Sequence, residues 1–339
     1  MIEVAAGIVT RQDGRILIAK RGPGRKNAHL WEFPGGKQEA GESIGNCLQR
    51  ELREELSLRV QHVRELRSGE AQGIRFHFLR AEALNDPTAT EHEDLRFVRP
   101  REMLGLPFCP ADEPVARALA LNDPPLRAFF WDFDGTLMDT YPMMTACLHN
   151  ACLRMGFQPL EDAELLRLQK ETLAYAIHTL ADRARVDERA LRAAYDLEAA
   201  NADLTQVQPL PGIPEAMRTM LRAGGKHYLV THRDLATVRA MLMNANLWDA
   251  FAGMITSDDG YPRKPAPDSC RALLQRYAID PATAVMIGDR PLDIQAGQTA
   301  GMLGCLLDPE QRFSEVPSDL RVTAASALPE LLLPAPILD

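Results

Sequence analysis

The chain has 339 residues, 46% hydrophobic and 25% charged, which at about 150 residues per domain suits two sizeable cores and excludes a disordered or fibrous chain. Its 47 acidic and 38 basic residues leave a formal charge of −9 with no Lys/Arg-rich block, which argues against a nucleic-acid polymer or an anionic membrane as partner and leaves small phosphorylated molecules open. The scattered cysteines, Cys47, Cys109, Cys147, Cys152, Cys270 and Cys305, form no C-x-x-C pair, so reduced thiols and a cytoplasmic location are expected.

Residues 2–10 and 15–20 read as a hairpin around Asp13-Gly14, an apolar start without the basic leader of a signal peptide. A helix is expected over 43–57, strands near 58–67 and 74–82, and a second helix over 112–121. Paired prolines in Leu121-Asn-Asp-Pro-Pro-Leu126 mark a boundary near residue 123, giving domains 1–123 and 124–339. Beyond it, apolar runs at 127–131, 227–230, 253–256, 283–287 and 303–307 alternate with helical patterns, the signature of a parallel sheet wound with helices. Residues 142–207 are mostly helix formers and read as a helical cap between two core segments, 127–141 and 208–335. No apolar run reaches the length of a bilayer span, and the sequence leaves the oligomeric state open.

The sharpest signal in the first domain is a set of carboxylates. Glu51, Glu54 and Glu55 stand at i, i+3 and i+4, so a helix projects all three from one face, where unpaired they repel by a few tenths of a kcal/mol each. Mg²⁺ removes that penalty, because a hard cation takes carboxylates, waters and phosphates as ligands. Ile44, Leu48, Leu52 and Leu56 supply an apolar stripe, and Pro34-Gly35-Gly36 lets the backbone approach a phosphate or metal closely.

Gly36, Glu42, Arg50, Glu51, Leu52, Glu54, Glu55 and Leu58 match the pattern G-x5-E-x7-R-E-U-x-E-E-x-G-U, where U is aliphatic. The segment therefore resembles the Nudix box, departing from it at Ser57, where the family has glycine. Over residues 2–121 the resemblance implies an α/β/α sandwich that cleaves a nucleoside diphosphate linked to another moiety. It further implies Mg²⁺ or Mn²⁺ held by Gly36, Glu51, Glu54 and Glu55, with Glu91 as a further metal or base carboxylate. Glu42 and Arg50 would brace the loop and helix, with Arg50 and Asp112 at the substrate. The runs Asn27–Gly36 and Pro110–Pro114 look like the compact subgroup that hydrolyses nucleoside triphosphates, CTP and oxidised ones included, to monophosphate and pyrophosphate. There the position of Asp112 reads the base edge, although an acid just before a helix is also a common N-cap.

In the second domain the reactive residue types follow strand-like runs: Asp132, Asp134 and Thr136 after 129–131, Thr231 after 227–230, Lys264 beyond 253–256, and Asp289 with Asp293 after 285–287. Open parallel sheets bind ligands at those ends. One carboxylate can attack phosphorus, a second can serve as acid and base, Thr231 and Lys264 can hold phosphoryl oxygens, and Asp289 can help hold Mg²⁺. His232, Arg233 and Arg290 could contact the leaving group. This half looks like the haloacid-dehalogenase-type phosphatases, a Rossmann-like parallel sheet with a helical cap. The resemblance implies Asp132 as nucleophile, Asp134 as acid/base, Thr231 and Lys264 as catalytic, Asp132, Asp134 and Asp289 as metal ligands, and Asp293 in support.

Together the two halves predict a bifunctional Mg²⁺-dependent hydrolase that cleaves a nucleoside triphosphate and then a phosphate monoester. The alternatives are a second domain acting as pyrophosphatase, sugar-phosphate phosphatase or phosphomutase, or a first domain that only senses nucleotides.

Overall fold

In the computed structural model, which describes residues 1–71 and 73–333, the chain folds as two units, Met1–Pro125 and Leu126–Leu333. Residues 334–339, assigned above to the second domain, lie outside the described residues.

The first unit contains β1 (Ile2–Thr10), β2 (Ile16–Lys20), β3 (Trp31–Glu32), β4 (Gly35–Lys37), α1 (Ile44–Leu56), β5 (Val60–Ala71), β6 (Ile74–Ala83), β7 (Asp94–Val98) and α2 (Glu113–Asn122). Its sheet runs β3-β2-β1-β6-β5, with β4 on β1 and β7 on β2, and β1 lies parallel to β6 from Ile2↔Ile74 to Thr10↔Glu82. The apolar run at the chain start is explained by its neighbours on both faces. Ala5 and Val9 pack with Leu48, Leu52 and Leu56 of α1, while Ala6 and Ile8 pack with Phe33, Phe108, Val115 and Ala116. A strand covered on both sides reads as continuous rather than alternating hydrophobicity. The expected stripe on α1 is real: Leu48, Leu52 and Leu56 are fully buried, each contributing roughly 1.5–3 kcal/mol. The short strands β3, β4 and β7 were not legible in the sequence.

The helix α1 is capped at its start by Ser43, whose side chain accepts from the Asn46 N–H at 3.2 Å. At its end Ser57 adopts φ 50° and ψ 25° and donates its N–H to Arg53 O at 3.1 Å, while the Leu58 N–H reaches Leu52 O at 3.0 Å. The left-handed turn that glycine would normally make is thus kept with a serine.

The second unit contains β8 (Ala128–Trp131), α3 (Tyr141–Arg154), α4 (Asp162–Glu171), α5 (Leu173–Ala184), α6 (Glu188–Ala200), α7 (Ile213–Arg222), β9 (Lys226–Val230), α8 (Leu235–Asn244), β10 (Phe251–Ile255), α9 (Asp268–Arg276), β11 (Ala284–Gly288), α10 (Pro291–Thr299), β12 (Leu303–Leu307), β13 (Leu320–Val322) and α11 (Leu328–Leu332). All of its strands are parallel, in the order β10-β9-β8-β11-β12-β13. The five runs read from sequence are all strands, and β13 is an addition. Helices α3 to α6 share a hydrophobic cluster of their own, including Leu148, Leu165, Leu168, Ile177, Leu180, Leu191 and Tyr195. The two chain segments that lead into and out of these helices run side by side: Met138 bridges Pro209, Asp139 N–H donates to Gln208 O at 2.9 Å, and Leu210 N–H to Leu137 O at 3.0 Å. Among the described residues no helix is long and apolar enough to cross a membrane.

A left-handed conformation costs a non-glycine residue about 1 kcal/mol. Ser57→Gly is therefore expected to raise the opening free energy of α1 by about that amount, measured by native-state hydrogen exchange of its amides. Unchanged or faster exchange would contradict the assignment of strain to this position.

Candidate active sites

The first unit carries an open cleft of about 660 Å³ whose lining includes Arg21, Glu32, Gly36, Glu51, Glu55, His92 and Asp112. Gly36 sits in β4, and a Cβ there would overlap the Glu51 carboxylate, so only glycine leaves room for that group. Arg50 organises the surrounding acids. Its Nη2 donates to Glu42 Oε1 at 2.8 Å and to Lys37 O at 3.1 Å, and its Nη1 to Glu51 Oε1 at 2.9 Å and Glu54 Oε2 at 3.1 Å. The bond from Arg50 lowers the Glu42 carboxyl to about 2.

Of the three carboxylates expected on one helical face, two line the cleft. These are Glu51 and Glu55, whereas Glu54, four residues after Arg50, is given to that guanidinium and is 59% exposed. Burial raises the Glu55 carboxyl, opposed by His92 and reinforced by the Glu51 and Glu91 charges. Glu91 also differs from expectation. Its carboxylate pairs with Arg25 at the surface, and the neighbouring His92 takes the inner position, with Nε2 3.4 Å from Glu32 Oε1 and 4.0 Å from Glu55 Oε2. Asp112 precedes α2 but makes no capping bond; its Oδ1 accepts from the Phe33 N–H at 3.2 Å. The group is buried, and burial pushes its carboxyl up to about 7. The room Gly36 leaves and the like charges crowded at Glu51 and Glu55 suit a hard cation.

In the second unit the ends of β8, β9 and β11 bring together residues far apart in sequence. Asp132 is buried, with Oδ1 paired to Lys264 Nζ and Oδ2 lacking any hydrogen-bond partner. Lys264 Nζ also lies 2.6 Å from Asp293 Oδ1 and donates to Val230 O at 3.0 Å. Burial works against its charge, but Asp132 and Asp293 prevail and raise its pKa. Its position is set by His232, whose Nε2 accepts the Lys264 N–H at 2.8 Å; burial and then the Lys264 charge push this imidazole down to about 3, which keeps it a neutral acceptor. Asp289 accepts from Tyr141 OH at 3.0 Å, from Lys170 Nζ at 3.3 Å and from Thr136 Oγ1 at 3.4 Å, and burial pushes it up to about 6.

Asp132, Asp289 and Asp293 each offer a carboxylate oxygen, the three lying within 4.8 Å of one another, the one such acidic trio among the described residues. Three converging buried carboxylates, one with an unpartnered oxygen, fit a divalent cation. Asp293, expected in support, belongs to this trio. The Asp134 carboxylate does not: it accepts from Thr140 Oγ1 at 2.7 Å and Arg233 Nε at 2.6 Å. Thr231 is buried and its Oγ1 accepts from the Arg233 N–H at 3.2 Å. Arg290 Nη2 lies 3.7 Å from Asp132 Oδ2. Gly135, at φ +74°, passes so close to Tyr141 that a Cβ would overlap the ring. Thr140, Tyr141 and Lys170 were missed in the sequence. Lys170 is 119 residues from Asp289, and no spacing rule connects them.

A NUDIX domain model matches residues 1–119 and a haloacid dehalogenase-like hydrolase model matches residues 129–306. Over 124 residues the chain is 40% identical to CTP pyrophosphohydrolase of Escherichia coli strain K12, spanning 35% of this chain and 90% of the relative. Over 189 residues it is 28% identical to phosphoglycolate phosphatase of Pseudomonas putida, spanning 52% and 67% of the two chains. A solved structure described as a predicted phosphoglycolate phosphatase from Haemophilus somnus shares the fold, with a TM-score of 0.55 at 15% identity over 61% of this chain and 97% of that one.

The raised carboxyl of Asp112 fixes a pH dependence. An unfolded aspartate releases its proton near about 3.9, whereas folded Asp112 keeps it to about 7. The protonated carboxyl's contribution to stability is thus complete below about pH 4 and lost as the pH rises through about 7. Asp112→Asn stays neutral, so its melting temperature is expected to gain on the wild type steadily from pH 4 to 7 and no further above 8. Parallel profiles would show that Asp112 ionises normally.

Proposed function

This chain belongs to the haloacid dehalogenase-like hydrolases and carries a NUDIX domain ahead of that region, and from this premise we propose that its two sites act in succession, the first on a phosphoanhydride and the second on a phosphate ester. The first cleaves a nucleoside triphosphate to a monophosphate and pyrophosphate. The second hydrolyses a phosphate monoester, the nucleotide released by the first included. The observation that carries the reading is the pair of separately built carboxylate sites. One opens on a cleft of about 660 Å³, and the other holds Asp132 with a free Oδ2 beside a buried lysine.

In the first site the Gly36 carbonyl with Glu51 and Glu55 would hold Mg²⁺, and Glu54 would join them by turning its carboxylate from Arg50 to the ion. Bound there, the cation offsets charge on the phosphate chain. Arg50 fixes the carboxylates, and Asp112, able to carry a proton near neutrality, addresses the base. Similarity to a CTP pyrophosphohydrolase favours a pyrimidine nucleotide.

In the second site Asp132, Asp289 and Asp293 would hold Mg²⁺, which lowers the repulsion between an attacking carboxylate and a phosphoryl group. Thr231 Oγ1 and Lys264 Nζ bind phosphoryl oxygens. Asp132 Oδ2 forms a bond to phosphorus as the ester P–O bond breaks, and Asp134 gives its proton to the departing oxygen. Asp134 then takes a proton from water, which attacks the aspartyl-phosphate and releases inorganic phosphate. Thr140 and Arg233 orient Asp134 for both steps.

The two activities separate cleanly by substitution. Incubated with a panel of nucleoside triphosphates, Glu51→Gln should lose at least about 100-fold in triphosphate cleavage while ester hydrolysis persists. Asp132→Asn should lose about 1000-fold or more in ester hydrolysis and accumulate the monophosphate. Monophosphate accumulating in the wild type while other esters are still hydrolysed would refute the sequential scheme. A wild type that cleaves no triphosphate would make the first unit a sensor.

A further inference from the structure

Lys170 lies at the end of α4, a cap helix seated by the fully buried Leu165 and Leu168 and pinned by Gln169, whose Nε2 donates to Thr145 Oγ1 at 2.9 Å. From there its ammonium reaches into the core. Nζ is 3.3 Å from Asp289 Oδ2, the oxygen that also accepts from Tyr141 OH, and 5.0 Å from the centre of the Tyr141 ring. Asp289 is inaccessible to solvent, and the Lys170 side chain is 13% exposed.

The charges around the acidic trio balance. Asp132, Asp289 and Asp293 supply three negative charges, and Lys264, Arg290 and Lys170 three positive ones. Lys264 pairs with two of the carboxylates and Arg290 lies within 3.9 Å of all three, both from loops at the sheet edge. Lys170 touches one carboxylate and is the cation of this set that the cap carries. A divalent cation added to a balanced, desolvated set leaves two positive charges uncompensated, which a low-dielectric site tolerates poorly. The least tied cation is the one that gives way.

We propose that Lys170 is a positioning residue that stands in for the divalent cation at Asp289. Without the ion it holds the Asp289 carboxylate in place and seats the cap on the core; when the ion binds, it yields Oδ2. This inference rests on the reading of the acidic trio as a cation site, and deepens it.

The test uses the full-length chain and Mn²⁺ alone, with no substrate, following free Mn²⁺ by electron paramagnetic resonance. Asp289→Asn identifies the class of sites that belongs to the trio by abolishing it. For that class Lys170→Met should bind Mn²⁺ about tenfold more tightly than the wild type, and Lys170→Arg, which restores the charge, should return the affinity to the wild-type value. In parallel, Mn²⁺ should speed hydrogen exchange of the α4 amides in the wild type, whereas in Lys170→Met exchange should be fast from the start. Unchanged or weaker Mn²⁺ binding in Lys170→Met, with the Asp289→Asn loss intact, overturns the role of Lys170 alone. Mn²⁺ binding that Asp289→Asn leaves untouched overturns the cation site with it.

Discussion

Removing a carboxylate from water is costly unless a cation or hydrogen-bond donors meet it, and both halves of this chain are organised by that requirement. In the first, Arg50 gathers the half-buried Glu42 and Glu51 with one guanidinium and reaches the exposed Glu54 as well. In the second, Lys264 sits buried between Asp132 and Asp293. The same cations that make the acids tolerable also aim them. Arg50 keeps Glu51 in the room left by Gly36, and Lys264 occupies one oxygen of Asp132 and leaves the other free. Folding and chemistry therefore draw on the same contacts.

Backbone geometry supplies what the charges cannot. A parallel sheet places the carboxyl ends of its strands along one edge, which is why Asp132, Thr231 and Asp289 meet although they come from distant parts of the chain. Gly135 lets the turn after β8 pass against Tyr141, whose hydroxyl then reaches Asp289. In the first unit the short strand β4 lies antiparallel to β1 through Ala5↔Gly36, which sets the glycine beneath the Glu51 carboxylate.

What could be read in advance follows from how local each cause is. The apolar runs at 127–131 and 283–287 identified strands because each is buried on both faces, and the stripe Leu48-Leu52-Leu56 identified α1 because its period is set within the helix itself. Strands β3 and β4, of two and three residues, carry no periodicity to detect. The acids were found as residue types, but not their directions. Glu54 is taken by a neighbour on its own helix, and Glu91 by Arg25, 66 residues away. His92 and Lys170 enter their sites only through tertiary packing.

The paired segments 137–139 and 208–210 bring the departure and return of the four-helix excursion to one point beside the sheet. Because α3 to α6 also bury their own apolar side chains against one another, the excursion is a closed loop whose chain enters and leaves by one doorway. Such a loop can change in length or packing without disturbing strand order, provided that Tyr141 and Lys170 still reach Asp289.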